Sequence, residues 1–304
     1  MSRPPHPSAR SAPSGALARH PETIVFLGAV ALALAAALLG AAPGPAVLVA
    51  AAALAATAGL PHGALDPLVA RQAGLTPTPA RRAVFLAAYT SLAALVVLAW
   101  LAAPAVTLAG FIAVSAWHFG GDWFEGRAFW RLAAGLALLS LPAALHGVVT
   151  GDIYVLLSGE PARAIAEIQA GLAPLWIAAL LLAALAAVQR SRRAAVEIFT
   201  AGLAALVLHP LLFFALYFAL LHSAKHFRGL WRAAPDRRGF VRAGAVYTGL
   251  SLLGAGLAFV VLSRSGALDE SILRVVFIGL AALTAPHMAV IEWARARQAG
   301  LPLR

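Results

Sequence analysis

Long apolar stretches separated by short polar links dominate the chain, with apolar runs at about residues 23–42, 45–61, 83–103, 105–120, 129–149, 172–189, 194–208, 210–227, 241–262 and 271–293. A bilayer-crossing helix needs about 20 such residues. The pattern therefore predicts an all-α, polytopic transmembrane helical bundle of about ten spans. Two runs are short and three pairs abut at Pro43, Pro104 or His209-Pro210, so eight or nine spans satisfy the same pattern. Residues 1–22, rich in Pro, Ser, Ala and Arg without a hydrophobic period, read as a disordered polar tail. The first run is longer than the roughly 7–15-residue core of a secretory signal, so it is read as a retained span, although Ala41 and Ala42 imitate a cleavage site. Residues 23–294 form one membrane domain, because no polar connection is long enough for a soluble insertion, and 295–304 form a short tail.

Composition agrees and narrows the chemistry. The chain is 62% hydrophobic and only 12% charged, far from the balance of a soluble domain. Cysteine is absent, which excludes disulfides, thiolate metal sites and Cys nucleophiles and leaves His or carboxylate to hold any metal. A net charge of +11 would suggest nucleic acid in a soluble protein. Here the positions of the charges point to orientation in a membrane. With ten alternating spans, 20 of the 23 basic residues fall on one side, leaving Arg163, Arg264 and Arg274 on the other. Cytoplasmic loops collect Lys and Arg, so both termini are expected in the cytoplasm, with the basic loops drawn to anionic lipid. No nucleic-acid partner is expected.

Of nine histidines, His6 and His20 fall in the polar tail and read as solvated. The other seven lie in or beside apolar runs, where ionisable side chains are costly and usually functional. On the expected orientation His62, His118, His222, His226 and His287 gather near the cytoplasmic boundary, while His146 and His209 sit at the opposite one as hydrogen-bonded interfacial residues. His222 and His226 share a helical face at i, i+4, within reach of one ion, or else are two interfacial histidines. Zinc proteolysis is disfavoured, since Ser223 stands where the catalytic Glu would follow the first His.

Two segments, Pro61-His62-Gly63-Ala64-Leu65-Asp66 and Trp117-His118-Phe119-Gly120-Gly121-Asp122, each place Asp four residues after His. Asp66 and Asp122 are candidates to accept the second N–H of a ligating imidazole; a helix cap or a pairing with Arg explains them equally well. His287 follows Pro286 and is a candidate fifth ligand, a group behind the ligands, or a partner for a carbonyl freed by the proline. Phe214 and Phe218 precede the His pair at i, i+4 steps, flanked by Tyr217, and Trp117 leads an aromatic cluster at the end of the fourth run. These four aromatics are candidates for a substrate tunnel, or belong to helix packing and an interfacial belt.

The set Pro-His-Gly-x-x-Asp, Trp-His-Phe-Gly-x-x-Asp, His-Ser-x-x-His and Pro-His-Met, in that order from about His62 to His287, resembles the Brp/Blh family of β-carotene 15,15'-dioxygenases. The resemblance implies a multi-pass enzyme of the cell membrane that uses Fe(2+) and O2 to split β-carotene at its central double bond into two all-trans-retinal, which serve a retinal-binding rhodopsin. It implies His62, His118, His222 and His226 as the iron ligands and catalytic residues. Two other classes fit parts of the pattern. A di-iron hydroxylase or desaturase would use His clusters at this boundary, but its His-x-x-His-His boxes are missing; a transporter or carotenoid-binding accessory protein would use the apolar framework without catalysis.

Overall fold

The computed structural model describes residues 20–234, 236–262 and 268–298, except for the side chains of 60–62, 255, 257–274 and 276. The helices are α1 (Pro21–Leu38), α2 (Pro45–Ala64), α3 (Asp66–Gln72), α4 (Pro79–Ala102), α5 (Pro104–Gly120), α6 (Ala128–Ser140), α7 (Pro142–Ser158), α8 (Arg163–Gly171), α9 (Ala173–Val188), α10 (Arg192–Val207), α11 (Pro210–Ala215), α12 (Ala224–Ala233), α13 (Arg237–Leu262) and α14 (Leu268–Gln298). No strand occurs among the described residues. Leu216–Ser223, between α11 and α12, is a π-helical segment.

Proline sets most of the boundaries. It occupies the first turn of α1, α2, α3, α4, α5, α7, α9 and α11, where its missing N–H costs nothing and its fixed φ suits a helix. Thr78 and Ser191 cap α4 and α10 by accepting from the N–H of Arg81 and Ala194, each at 3.3 Å.

Each predicted run coincides with a helix or a bent pair of helices, but length and composition among the described residues do not bear out ten crossings. Among the described residues four helices are long and apolar enough to cross a membrane: Pro21–Leu38, Pro79–Ala102, Pro210–Ala233 and Phe277–Arg297. Counting α6 with α7, bent by 57°, and Glu160–Gly171 with α9, bent by 61°, makes six. Proline contributes to the shortfall: Pro104 separates the 17-residue α5 from α4, and the length of α5, about 26 Å at 1.5 Å per residue, is short of the ~30 Å hydrocarbon core. The expected placement of the termini counted ten alternating spans and does not follow from this architecture; residues 1–19 and 299–304 lie outside the described residues. α1 opens at Pro21, inside the stretch expected to be tail, and His20 and Glu22 are tied to Arg228 and Arg193 rather than solvated.

α1, α2, α6, α9, α10 and the π-helical segment share the main core. α4 buries little; its Leu98 and Leu101 are 61% and 70% exposed, presenting an apolar flank of the kind that lipid covers. α5 and α6 approach so closely that a Cβ on Gly120 would strike the Arg131 carbonyl and one on Gly135 the Ala116 carbonyl. This contact fixes the end of α5, and with it His118.

Candidate functional site

Four elements bring imidazoles together: His118 from the end of α5, His222 from the π-helical segment, His226 from α12, and His287 from α14. The Nε2 atoms of His118 and His222 are 3.1 Å apart. The His287 ring bridges the rest, its centroid 5.2 Å from that of His118 and 5.1 Å from that of His226. His118, His222 and His287 are buried, and His226 is half-buried. His62 is in the last turn of α2, and its side chain lies outside the described residues.

Each motif aspartate serves a histidine from another helix. Asp122 accepts from His222 Nδ1 at 3.1 Å and from the Tyr217 hydroxyl at 2.8 Å. Asp66, fully buried at the start of α3, accepts from His287 Nδ1 at 2.6 Å and from the Tyr89 hydroxyl at 2.7 Å. Two matching chains result: Tyr217–Asp122–His222 and Tyr89–Asp66–His287. The π-helical segment makes the first possible. Residues five apart lie about 140° round a regular α-helix, whereas i→i+5 winding puts Tyr217 and His222 on one face, where both meet Asp122. Burial alone would raise the pKa of Asp122, but His222, Lys225 and Tyr217 outweigh it and hold the carboxyl at about 2, so it stays ionised.

A polar shell braces the cluster. Arg131 donates from Nε to the Trp117 carbonyl at 2.6 Å, stacks on the Trp117 ring at 4.2 Å, and pairs with Glu292 on α14 at 2.5 Å. It thereby ties α6 to the helices bearing His118 and His287. Fully buried Glu197 accepts from Thr23 at 2.5 Å, Trp123 at 3.0 Å and Lys225 at 2.6 Å. Sequence reasoning missed Glu197, Arg131, Glu292 and Tyr89. An acid inside an apolar run was a usable signal for both glutamates; for Tyr89 there was none.

An apolar pocket lies among α4, α5, α7, α11 and α14, lined by residues including Phe111, Phe119, Phe214, Phe218 and Phe277. A smaller space is lined by His118, His222 and His287. Phe119, Phe218, Leu280 and Thr284 wall both, so the two adjoin. Phe214 stacks on Phe218 at 5.2 Å, and Phe218 on His222 at 5.8 Å. Neither Tyr217 nor Trp117 is among the lining residues of either space; the first holds Asp122 and the second Arg131. His146 and His209 sit apart from the cluster, His146 against the Val207 carbonyl at 3.0 Å and His209 capping α11 through the Leu211 N–H at 3.3 Å.

The donor set suits a metal chemically. Two nitrogens at right angles on one metal, each about 2.1 Å from it, are about 3.0 Å apart, close to the His118–His222 separation of 3.1 Å. Carboxylates on the far nitrogens of His222 and His287 fix the tautomers that ligation needs. As the rings stand, no three donors among the described residues converge on one metal position.

Fold and site together define a helical protein of membrane composition, in which a buried histidine–carboxylate cluster closes one end of an apolar pocket. Residues 53–295 match the family of β-carotene 15,15'-dioxygenases. The chain is also 30% identical over 248 residues to a protein of the uncultured marine bacterium 66A03 named β-carotene 15,15'-dioxygenase, covering 77% of this chain and 89% of that one. The chain belongs to the β-carotene 15,15'-dioxygenase family. No solved structure matches it.

Proposed function

We propose that this chain is an integral membrane dioxygenase that cleaves β-carotene at its 15,15' double bond with O2, giving two molecules of all-trans-retinal. The observation that carries the reading is the shared wall of Phe119, Phe218, Leu280 and Thr284 between the large apolar pocket and the histidine cluster. A polyene has no polar group to be recognised, so apolar shape must place its reacting carbons. The pocket supplies that shape and keeps water away; the stacked Phe214 and Phe218 lead from it to His222.

On this reading His62, His118, His222 and His226 hold Fe(2+), with Asp122 orienting His222. The iron, when bound, supplies dioxygen activation; imidazole ligands suit it and leave its charge uncompensated. The double bond breaks and each of its carbons gains one oxygen atom as an aldehyde, so one O2 balances two products. Substrate and product are both apolar enough to travel within the bilayer, which fits a multi-pass protein of the cell membrane with its basic loops on the cytoplasmic side and a retinal-binding rhodopsin as consumer of its product.

Expression in cells that accumulate β-carotene tests this directly. Loss of colour with retinal gained is expected. Unchanged pigment in the presence of inserted protein, or shorter apocarotenals in place of retinal, would overturn the activity or the position of cleavage.

A further inference from the structure

We infer that His287 is a ligand of the same metal, held for that task by Asp66 and Tyr89. The inference rests on the metal reading above. The argument is a likeness within the site. His222 donates from Nδ1 to a carboxylate that also accepts from a tyrosine, Asp122 with Tyr217, and its Nε2 turns toward His118. His287 repeats the arrangement from the other side with Asp66 and Tyr89, at 2.6 Å and 2.7 Å.

A carboxylate on Nδ1 holds the proton there and leaves the Nε2 lone pair for a metal, while raising its basicity. Asp66 is fully buried and His287 is 2% exposed, so solvent does not compete for either bond. His287 lines the same small space as His118 and His222, and its ring lies between those of His118 and His226. A histidine kept only for packing would not need a buried, tyrosine-backed carboxylate, since burying that charge is costly. Pro286 precedes it within α14, and the helix carries Glu292 five residues on, which Arg131 anchors to α6. α14 thus delivers a rigidly placed imidazole opposite the one from the π-helical segment.

The test is iron binding, independent of turnover. Wild-type protein purified in detergent is titrated with Fe(2+) against a chelator, alongside His287→Ala, Asp66→Asn, Tyr89→Phe and His222→Ala. The wild type should bind one iron per chain. His287→Ala should lose at least as much affinity as a disrupted outer partner costs, about 10–100-fold, and regain it with added imidazole, which a merely structural loss would not permit. Asp66→Asn and Tyr89→Phe should weaken binding in that order. If His287→Ala does not accumulate, those two variants carry the test. Wild-type affinity in His287→Ala, or in both Asp66→Asn and Tyr89→Phe, while His222→Ala loses iron, would overturn the role of His287 alone. A wild type that takes up no iron would overturn the metal reading itself.

Discussion

Removing the Tyr217 hydroxyl is the sharpest single probe of the site. Tyr217 is fully buried and donates to Asp122 Oδ2 at 2.8 Å. Phe in its place keeps the ring against Phe119, 5.4 Å away, and against Phe213 at 6.1 Å, so packing is conserved and one hydrogen bond to an ionised carboxylate is lost. Such bonds contribute about 1.5–3 kcal/mol, and no water can replace this one in a buried site. Tyr217→Phe should therefore destabilise the detergent-solubilised protein by that amount, read from denaturant unfolding. Because the same hydroxyl steadies the carboxylate that orients His222, retinal formation should also fall, by about 10–100-fold. Asp122→Asn disturbs the same bond, so the two substitutions should not add. Their double mutant should fall short of the sum by more than about 0.5 kcal/mol, the limit within which independent sites add. Additivity within that limit, or a neutral Tyr217→Phe, would refute the claim that π winding exists here to bring Tyr217 and His222 onto one acceptor.

Glu197→Gln should cost about 3–5 kcal/mol, because it leaves Lys225 charged without its 2.6 Å partner; Glu197→Gln with Lys225→Met should recover much of that in the same unfolding assay. Gly120→Ala should cost at least about 1–3 kcal/mol by forcing α5 from α6 and should depress activity through His118, whereas Gly110→Ala, with nothing within 4 Å of its added Cβ, should be neutral. Gly59→Ala places a methyl 2.5 Å from Leu280 and 2.9 Å from Phe218, two walls of the junction between pocket and cluster; retinal yield should drop while iron binding is retained, and a variant with full yield would show that substrate does not pass there.

The helices were legible because proline and apolar run length write their boundaries: the run at 105–120 became α5 almost residue for residue, and that at 83–103 became α4, which opens four residues earlier at Pro79. The number of crossings was less so, since it depends on bends such as the 57° break between α6 and α7, which composition does not record. The short polar helices α3 and α8 carry no apolar run and were not foreseen. In the site, the expense of an imidazole in an apolar setting flagged seven histidines, among them His118, His222, His226 and His287, which the structure brings together. The pairing of each aspartate was not readable, because it is set by which helices pack together. Asp66 sits four residues from His62 in sequence yet binds His287, and Asp122 binds His222, about a hundred residues away. The π winding was equally hidden, as the i, i+4 aromatic spacing reads as regular α-helix.

That winding has a consequence for how the sequence can drift. Deleting any one residue from the segment Leu216–Ser223 would leave overall hydrophobicity and nearly every side chain intact, and a regular α-helix would form readily. With a residue removed between them, Tyr217 and His222 would stand i, i+4 on that regular helix, neighbours on one face, so the wider winding accommodates one extra residue while keeping both side chains on Asp122. The site is therefore set less by the number of residues in these two turns than by the pairing of Asp122 with the face that carries Tyr217 and His222, and a homologue one residue shorter could keep that pairing on a regular helix.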